Sequence, residues 1–210
     1  MFDFKHRWMQ DCATLGLTAS AAWLDRLLAG YAAPGRHYHT LQHLAECLEL
    51  FERMRHLAAR PGEAALALWF HDAVYLPQAK DNEARSADWA CAALREAGAD
   101  DTVEARVRDL IMATAHHDAQ DGDARLVVDI DLAILGAAPA RFAEYEGQVR
   151  AEYAFVPPEV FRQKRAEVLA RFLARPAIYG TPELRTQLEE QARSNLRRAI
   201  DNAQGAASPG

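Results

Sequence analysis

His39 and His43, four residues apart, and the adjacent pair His71-Asp72 bracket a stretch whose remaining pattern is that of apolar helix. On a helix, positions 39 and 43 share one face, a single turn apart. From 63 to 74 almost every residue is apolar. A segment of that kind is normally central and buried, and a charged pair at its end is costly unless something satisfies it. Core packing asks for neither group. A metal ion asks for both, because neutral imidazole nitrogen and carboxylate oxygen suit a borderline divalent cation. The stretch from Tyr38 to Asp72 therefore reads as the scaffold of a metal centre, to which the rest of the chain must add a further ligand and a substrate pocket.

The flanking pattern is helical throughout. Apolar residues at three- and four-residue intervals predict helices over 3–15 and 19–31, the second with Trp23, Leu24, Leu27 and Leu28 as its inner stripe. Pro34-Gly35 breaks the pattern, and one long helix is expected over 38–59 with Leu44, Cys47, Leu48 and Phe51 inward. Helices follow over 63–74, 82–98 and 103–116, then a polar loop over 118–123. The run Leu126-Val127-Val128-Asp129-Ile130-Asp131-Leu132 has strand-like composition, but a lone strand among helices has no partner, so it reads as helix. Helices over 139–153, 158–174 and 183–202 complete the chain. Trp8, Trp23, Trp69 and Trp89 belong to the core. No repeat and no Gly/Ser/Pro-rich linker is visible, so the expectation is a single all-α helical domain over 1–202 with a flexible tail over 203–210.

Composition narrows the function classes. The 210 residues carry a formal charge of -6, which argues against nucleic acid as a partner but not against a small anionic substrate, since a bound cation reverses the local field. Cys12, Cys47 and Cys91 are odd in number and form no CxxC pair, the pattern of reduced thiols in a cytoplasmic protein. No secretory signal and no membrane-spanning apolar run is visible, so no membrane association is expected.

The order His43, His71-Asp72, Asp131, each set on a separate expected helix, resembles the HD superfamily of metal-dependent phosphohydrolases. The likeness extends to a largely uncharacterised branch of HD-type hydrolases. It is carried by Tyr38-His39-x-x-x-His43, His71-Asp72-x-x-Tyr75, Asp81-Asn82-Glu83-x-x-Ser86-Ala87, Thr114-x-His116 and Asp129-Ile130-Asp131-Leu132-x-Ile134-Leu135-Gly136. Arg150-x-Glu152-Tyr153, Arg165 and Ala192-Arg193-x-Asn195-Leu196 continue it, so that it spans about residues 36–200.

The resemblance implies His43, His71, Asp72 and Asp131 as metal ligands, with Asp72 able to bridge if two ions bind. Asp131 is preferred to Asp129 because it precedes Leu132, where the family's last aspartate usually falls; the two lie about 200° apart on a helix and cannot both face one ion. Tyr-His-x-x-x-His also resembles the opening of the cyclic-nucleotide phosphodiesterase site, which implies His39 as proton donor to a leaving oxygen; the alternative is a histidine that orients Asp72 or Glu83. Glu83 is a candidate to hold a water or a ligating histidine. His116, ahead of His117, is a candidate for a second metal position or a phosphate contact. Arg150 and Arg165 match the branch pattern as phosphate clamps, with Lys164 and Arg193 as further candidates. Tyr153 and Tyr179 are candidates to stack on a base.

The activity so implied is hydrolysis of a phosphoester, of a nucleotide or another small phosphorylated metabolite, with one or two divalent ions (Mn, Fe, Co, Ni, Zn or Mg) as cofactor. A homodimer is allowed for. Two rival readings stay open: a di-iron oxygenase on the same fold, for which adjacent His116 and His117 are poorly spaced, and a non-catalytic nucleotide-sensing module.

Overall fold

A computed structural model describes residues 2–117, 119 and 122–205. Among these residues there are ten α-helices and no strand, so the chain is all-α. They are α1 (Phe4–Thr14), α2 (Ala21–Tyr31), α3 (Leu41–Met54), α4 (Pro61–Phe70), α5 (Asn82–Glu96), α6 (Asp101–Thr114), α7 (Gly122–Asp131), α8 (Pro139–Glu152), α9 (Pro158–Leu173) and α10 (Pro182–Gly205). Local chemistry sets many of the starts. Asp3, Ser20, Thr40 and Asp100 accept backbone N–H groups of the first turns of α1, α2, α3 and α6, and prolines open α4, α8 and α9.

The absence of a linker reads as one domain, but the chain clusters into two compact units that meet between Asp131 and Leu132. The boundary falls where α7 passes directly into a 3-10 turn, Leu132–Gly136, so no change in composition marks it. Of the loop expected over 118–123, residues 118, 120 and 121 lie outside the described residues, while Gly122 and Asp123 already belong to α7. The tail expected from 203 begins later: 203–205 continue α10, and 206–210 lie outside the described residues.

In the N-terminal unit α4 is the centre. It is apolar on every side, buried from Gly62 to Phe70, and packs against α1, α3, α5, α6 and α7. Its one charged side chain, Glu63, is met by both Arg106 nitrogens at 2.7 and 2.6 Å. At its entrance the Asp123 carboxylate of α7 accepts the N–H groups of Ala59 and Arg60 at 2.7 and 2.8 Å. Trp69 lies edge-on to Trp8 at 5.3 Å and donates its indole N–H to the fully buried Asp11 at 3.0 Å. Asp11 also accepts from Arg7 at 2.9 Å and from Arg55, which ties α1 and the 3-10 turn Arg55–Leu57 to the central helix.

The long helix expected over 38–59 is shorter at both ends. Thr40 is extended, with ψ -177°, and its hydroxyl accepts the Gln42 N–H, so the helix begins at Leu41 and His39 lies ahead of it. His39 and His43 therefore do not share a helix face. The C-terminal unit is held by side chains bound to backbone. Asn195 donates to the carbonyls of Leu135 and Ala137 at 2.9 and 2.8 Å, and Tyr179 donates to that of Leu132 at 3.1 Å. Gly136 is needed there, because a Cβ would stand 2.7 Å from Cβ of Leu188 on α10.

Asp11→Ala should lower unfolding free energy by about 1–3 kcal/mol, since it removes the buried acceptor shared by Arg7, Arg55 and the Trp69 indole and leaves the two arginines only the more exposed Glu52. Urea titration of the purified variant measures this; a loss below about 1 kcal/mol would show that the network is not what pins α1 to α4.

Candidate metal centre

Three helices of the N-terminal unit converge on one point. α3 brings His43 in its first turn, α7 brings Asp131 as its last residue, and α4 ends in His71 as its C-cap, followed by Asp72. His43 Nε2 lies 3.1 Å from His71 Nε2, 3.4 Å from Asp72 Oδ2 and 3.2 Å from Asp131 Oδ1. His71 Nε2 lies 3.1 Å from Asp72 Oδ2 and 3.5 Å from Asp131 Oδ1. Four donor atoms of this kind around a tetrahedral ion, with bonds of about 2.0–2.1 Å, stand about 3.3–3.4 Å apart. The five separations fall around that value, so the donor set fits a cation as it stands.

The tautomer of His71 agrees. Its Nδ1 lies 2.8 Å from the Leu68 carbonyl oxygen, which can only accept. Nδ1 therefore carries the hydrogen, and in the neutral ring the Nε2 lone pair faces the cluster, the orientation in which a ligating imidazole is held by its own backbone. Tyr31 supports the same turn: its buried hydroxyl donates to the Trp69 carbonyl at 3.2 Å and accepts the Asp72 N–H at 3.3 Å. Burial pushes the Tyr31 phenol up to about 12, so it stays a donor.

Cys47, expected only as an inward residue of α3, belongs to the same neighbourhood. His43, Cys47, His71 and Asp131 form a buried cluster, with ligand atoms all within 4.8 Å of one another, that could hold a metal ion. The sulfur is 3.7 and 3.8 Å from the two His43 ring nitrogens. A sulfur–nitrogen edge of a tetrahedral zinc site is about 3.5 Å, close to these distances, so Cys47 and Asp72 are both within reach as the donor that joins His43, His71 and Asp131.

Access comes from the carboxylate side. The side chains of His43 and His71 are 2 % and 1 % exposed, those of Asp72 and Asp131 14 % and 13 %. Half-buried His39 borders this side, its ring stacked on Tyr75 at 3.8 Å and 6.0 Å from that of His43. The other bordering imidazole is His117, not His116. His116 is exposed, whereas His117 takes a left-handed φ of 47° and brings Nε2 to 3.1 Å from Asp131 Oδ2. Glu83 is half-buried in the first turn of α5 and makes no ion pair among the described residues.

The candidate phosphate clamps lie in the C-terminal unit and have internal partners. Arg150 donates to the Tyr153 and Val156 carbonyls at 2.6 and 3.0 Å, closing the turn after α8. Arg165 binds Glu146 through Nε at 3.1 Å. Arg193 donates to the carbonyls of Leu173 and Arg175 and to Glu189, and Lys164 pairs with Glu167. Tyr153 rests against Phe155 and Phe161, and Tyr179 is fully buried.

The electrostatics of the cluster are those of a site where protons stand in for a cation. Burial disfavours charge on both rings. For His43 this is outweighed by Cys47, Tyr38 and the hydrogen bonds of Asp131 and Asp72, and for His71 by Asp72, Tyr31 and the hydrogen bonds of both carboxylates. Both imidazoles end well above their ordinary value. Burial likewise disfavours charge on the acids, but His71 and His39 hold Asp72, and His117, His43 and His71 hold Asp131, well below the usual carboxylate range.

The sign of the pH dependence follows. In the metal-free protein the raised histidines stabilise the fold below about pH 6.5, and that contribution is lost as pH rises through their folded values. The lowered aspartates contribute above about pH 3.9, and that is lost as pH falls through theirs. Chelated protein should thus lose stability from neutral to alkaline pH, whereas a divalent ion displaces the imidazole protons and should stabilise more strongly as pH rises. Urea midpoints across this range, with chelator and with zinc or manganese, test both limbs; a chelated protein that gains stability above pH 7 contradicts the assignment.

No protein-family model, no curated protein and no solved structure matches the chain.

Proposed function

We propose that the chain is a metal-dependent phosphohydrolase of the HD type, acting on a phosphoester of a nucleotide or another small phosphorylated metabolite. The observation that carries this reading is the donor set itself: two imidazole nitrogens 3.1 Å apart, each 3.1–3.5 Å from two carboxylate oxygens, with the histidines buried and the carboxylates partly exposed. With both rings neutral this set carries two negative charges in a largely dry site, which a divalent cation balances. When bound, such a cation supplies Lewis acidity, polarising a phosphoryl oxygen and lowering the pKa of a water.

The chain's own groups supply the remainder. His43 and His71 form the floor, and the Leu68 carbonyl keeps His71 in the ligating tautomer. Asp72 and Asp131 face the open side, where their outer oxygens can accept a hydrogen bond from an attacking water. His117 holds the outer oxygen of Asp131 and so fixes how that carboxylate presents the inner one. Hydrolysis replaces the ester P–O bond by a P–OH bond, and the leaving alkoxide needs a proton. His39, ordered by its stack on Tyr75 and set beside the cluster but outside it, donates that proton. The net charge of -6 fits a small substrate drawn to the cation rather than a polyanion drawn to the whole surface.

Elemental analysis of the purified protein, followed by a phosphatase screen over nucleotides with Mn, Co, Ni, Zn and Mg, tests the proposal directly. His71→Ala and Asp72→Ala should each lose the bound ion and the turnover while keeping the helical circular-dichroism spectrum. Retained turnover in a metal-free preparation would sink the metal-dependent reading. His39→Ala should keep the ion and lower turnover about 10²–10⁴-fold. His117→Ala should weaken metal affinity or turnover by about 10–100-fold. A His39→Ala enzyme as fast as the wild type would remove the proton-donor role.

A further inference from the structure

We infer that Arg36 is a positioning residue that acts through His39 and Asp72, fixing the segment of the proton donor against the turn that carries the ligand carboxylate. The inference rests on the proposed hydrolase reading for its kinetic arm, but not for its structural arm.

Of the groups around the centre, His43 and Asp131 lie within helices and His71 caps one. His39 and Asp72 do not. His39 precedes the α3 cap, and Asp72 sits in the turn after α4. Neither segment has a helical ladder to hold it, and both are joined by one side chain. Arg36 Nη1 donates to the carbonyl of His39 at 3.0 Å and to that of Asp72 at 2.7 Å, while Nη2 donates to that of Ala73 at 2.9 Å. Hydrogen bonds from a cation to neutral acceptors are the stronger kind, and the planar fork lets one group meet three carbonyls at fixed angles. The guanidinium carbon lies 5.2 Å from the Tyr31 ring and 5.8 Å from the ring of Tyr75, on which His39 stacks. Arg36 is therefore coupled to His39 twice, by the backbone and through Tyr75.

The far side of the same turn is also fixed. Gly30 of α2 lies so close to the Ala73 carbonyl that a Cβ would stand 3.1 Å from its oxygen, and the neighbouring Tyr31 hydroxyl accepts the Asp72 N–H. The turn is pressed between α2 and Arg36, and the carbonyls beyond α4, at the negative end of that helix, face a cation. What Arg36 sets is the separation between the proton donor and the ligand set. A misplacement of about 1 Å at such a point costs about 10²-fold in rate.

The test compares Arg36→Met with the wild type in three measurements. In the metal-free protein, the His39 imidazole resonances should lose the upfield ring-current shift imposed by Tyr75. In the loaded enzyme, kcat on the phosphoester identified for the wild type should fall about 10²-fold while the Kd for manganese or zinc changes less than about tenfold. In a His39→Ala background the same substitution should cost less than about threefold, because the group through which it acts is gone. An unchanged His39 resonance, or an equal loss in both backgrounds, overturns the inference. If the wild type hydrolyses no phosphoester, the hydrolase reading fails and the imidazole resonance alone decides the role of Arg36. Should Arg36→Met not fold, Arg36→Lys keeps the charge but cannot reach three carbonyls and carries the same comparison; if neither folds, the residue is structural and the inference is wrong.

Discussion

Two buried imidazoles and two slightly exposed carboxylates face each other at close range, and no such arrangement is stable without positive charge. The charge arrives as protons on His43 and His71 or as a cation between them. The unusual acidity of both acids and basicity of both rings are one fact seen from its two ends. Helix geometry adds to it. His71 stands at the C-terminus of α4 and Asp131 at the C-terminus of α7, so two negative dipole ends meet where a cation is favoured. The fold of the N-terminal unit can be read as the means of bringing those ends to the first turn of α3.

Holding acids and rings together against their desolvation requires stability from elsewhere. Nine consecutive buried residues of α4, Gly62 to Phe70, supply much of it by apolar burial. The polar groups that accompany this burial are paired rather than abandoned: Glu63 with Arg106, Asp11 with Arg7, Arg55 and Trp69, Asp123 with two open N–H groups at the start of α4. Glu63–Arg106, Asp11–Trp69 and the Asp123 contacts join α4 or its entrance to another element, and Arg7 and Arg55 hold Asp11 in place for its part in this. They orient the axis of the central helix, and with it the direction in which His71 and Asp72 leave it.

Much of this was legible in the sequence, and the reasons differ from residue to residue. The near-continuous apolar run of α4 announces burial, and a His-Asp pair at its end has no place in a core, so the centre could be located without coordinates. The preference for helix at 126–132 followed from the lack of a strand partner, and it is there that Asp131 is delivered. His39 misled because Thr40 reads as an ordinary helix residue until its hydroxyl is seen capping Gln42. His117 reads as the lesser candidate beside His116 in the sequence, since its reach to Asp131 depends on a left-handed backbone that no side-chain pattern predicts at a histidine. Arg36 left no signal, since its partners are carbonyls and any sequence supplies those. Arg150 and Arg193 illustrate the converse: arginines that read as anion clamps are bound to backbone oxygens.

The difference between helix-borne and turn-borne groups divides the labour of the site. His43 and His71, buried and oriented by their helices, form a rigid floor whose geometry suits retention of an ion. His39, Asp72 and His117 sit on turns, and each is held by a contact of a different kind: a ring stack, an arginine fork, and a hydrogen bond to a carboxylate. Turn-borne groups can shift by fractions of an ångström as charge develops on a substrate, whereas helix-borne ones cannot without disturbing the core. On the proposed reading, proton delivery falls to a turn-borne group, His39, whereas the ion would be held by helix-borne His43 and Asp131, by the α4 cap His71 and by turn-borne Asp72. On that reading, changes at His39 or Arg36 would alter the chemistry without emptying the centre, and changes at His43, His71 or Asp72 would empty it.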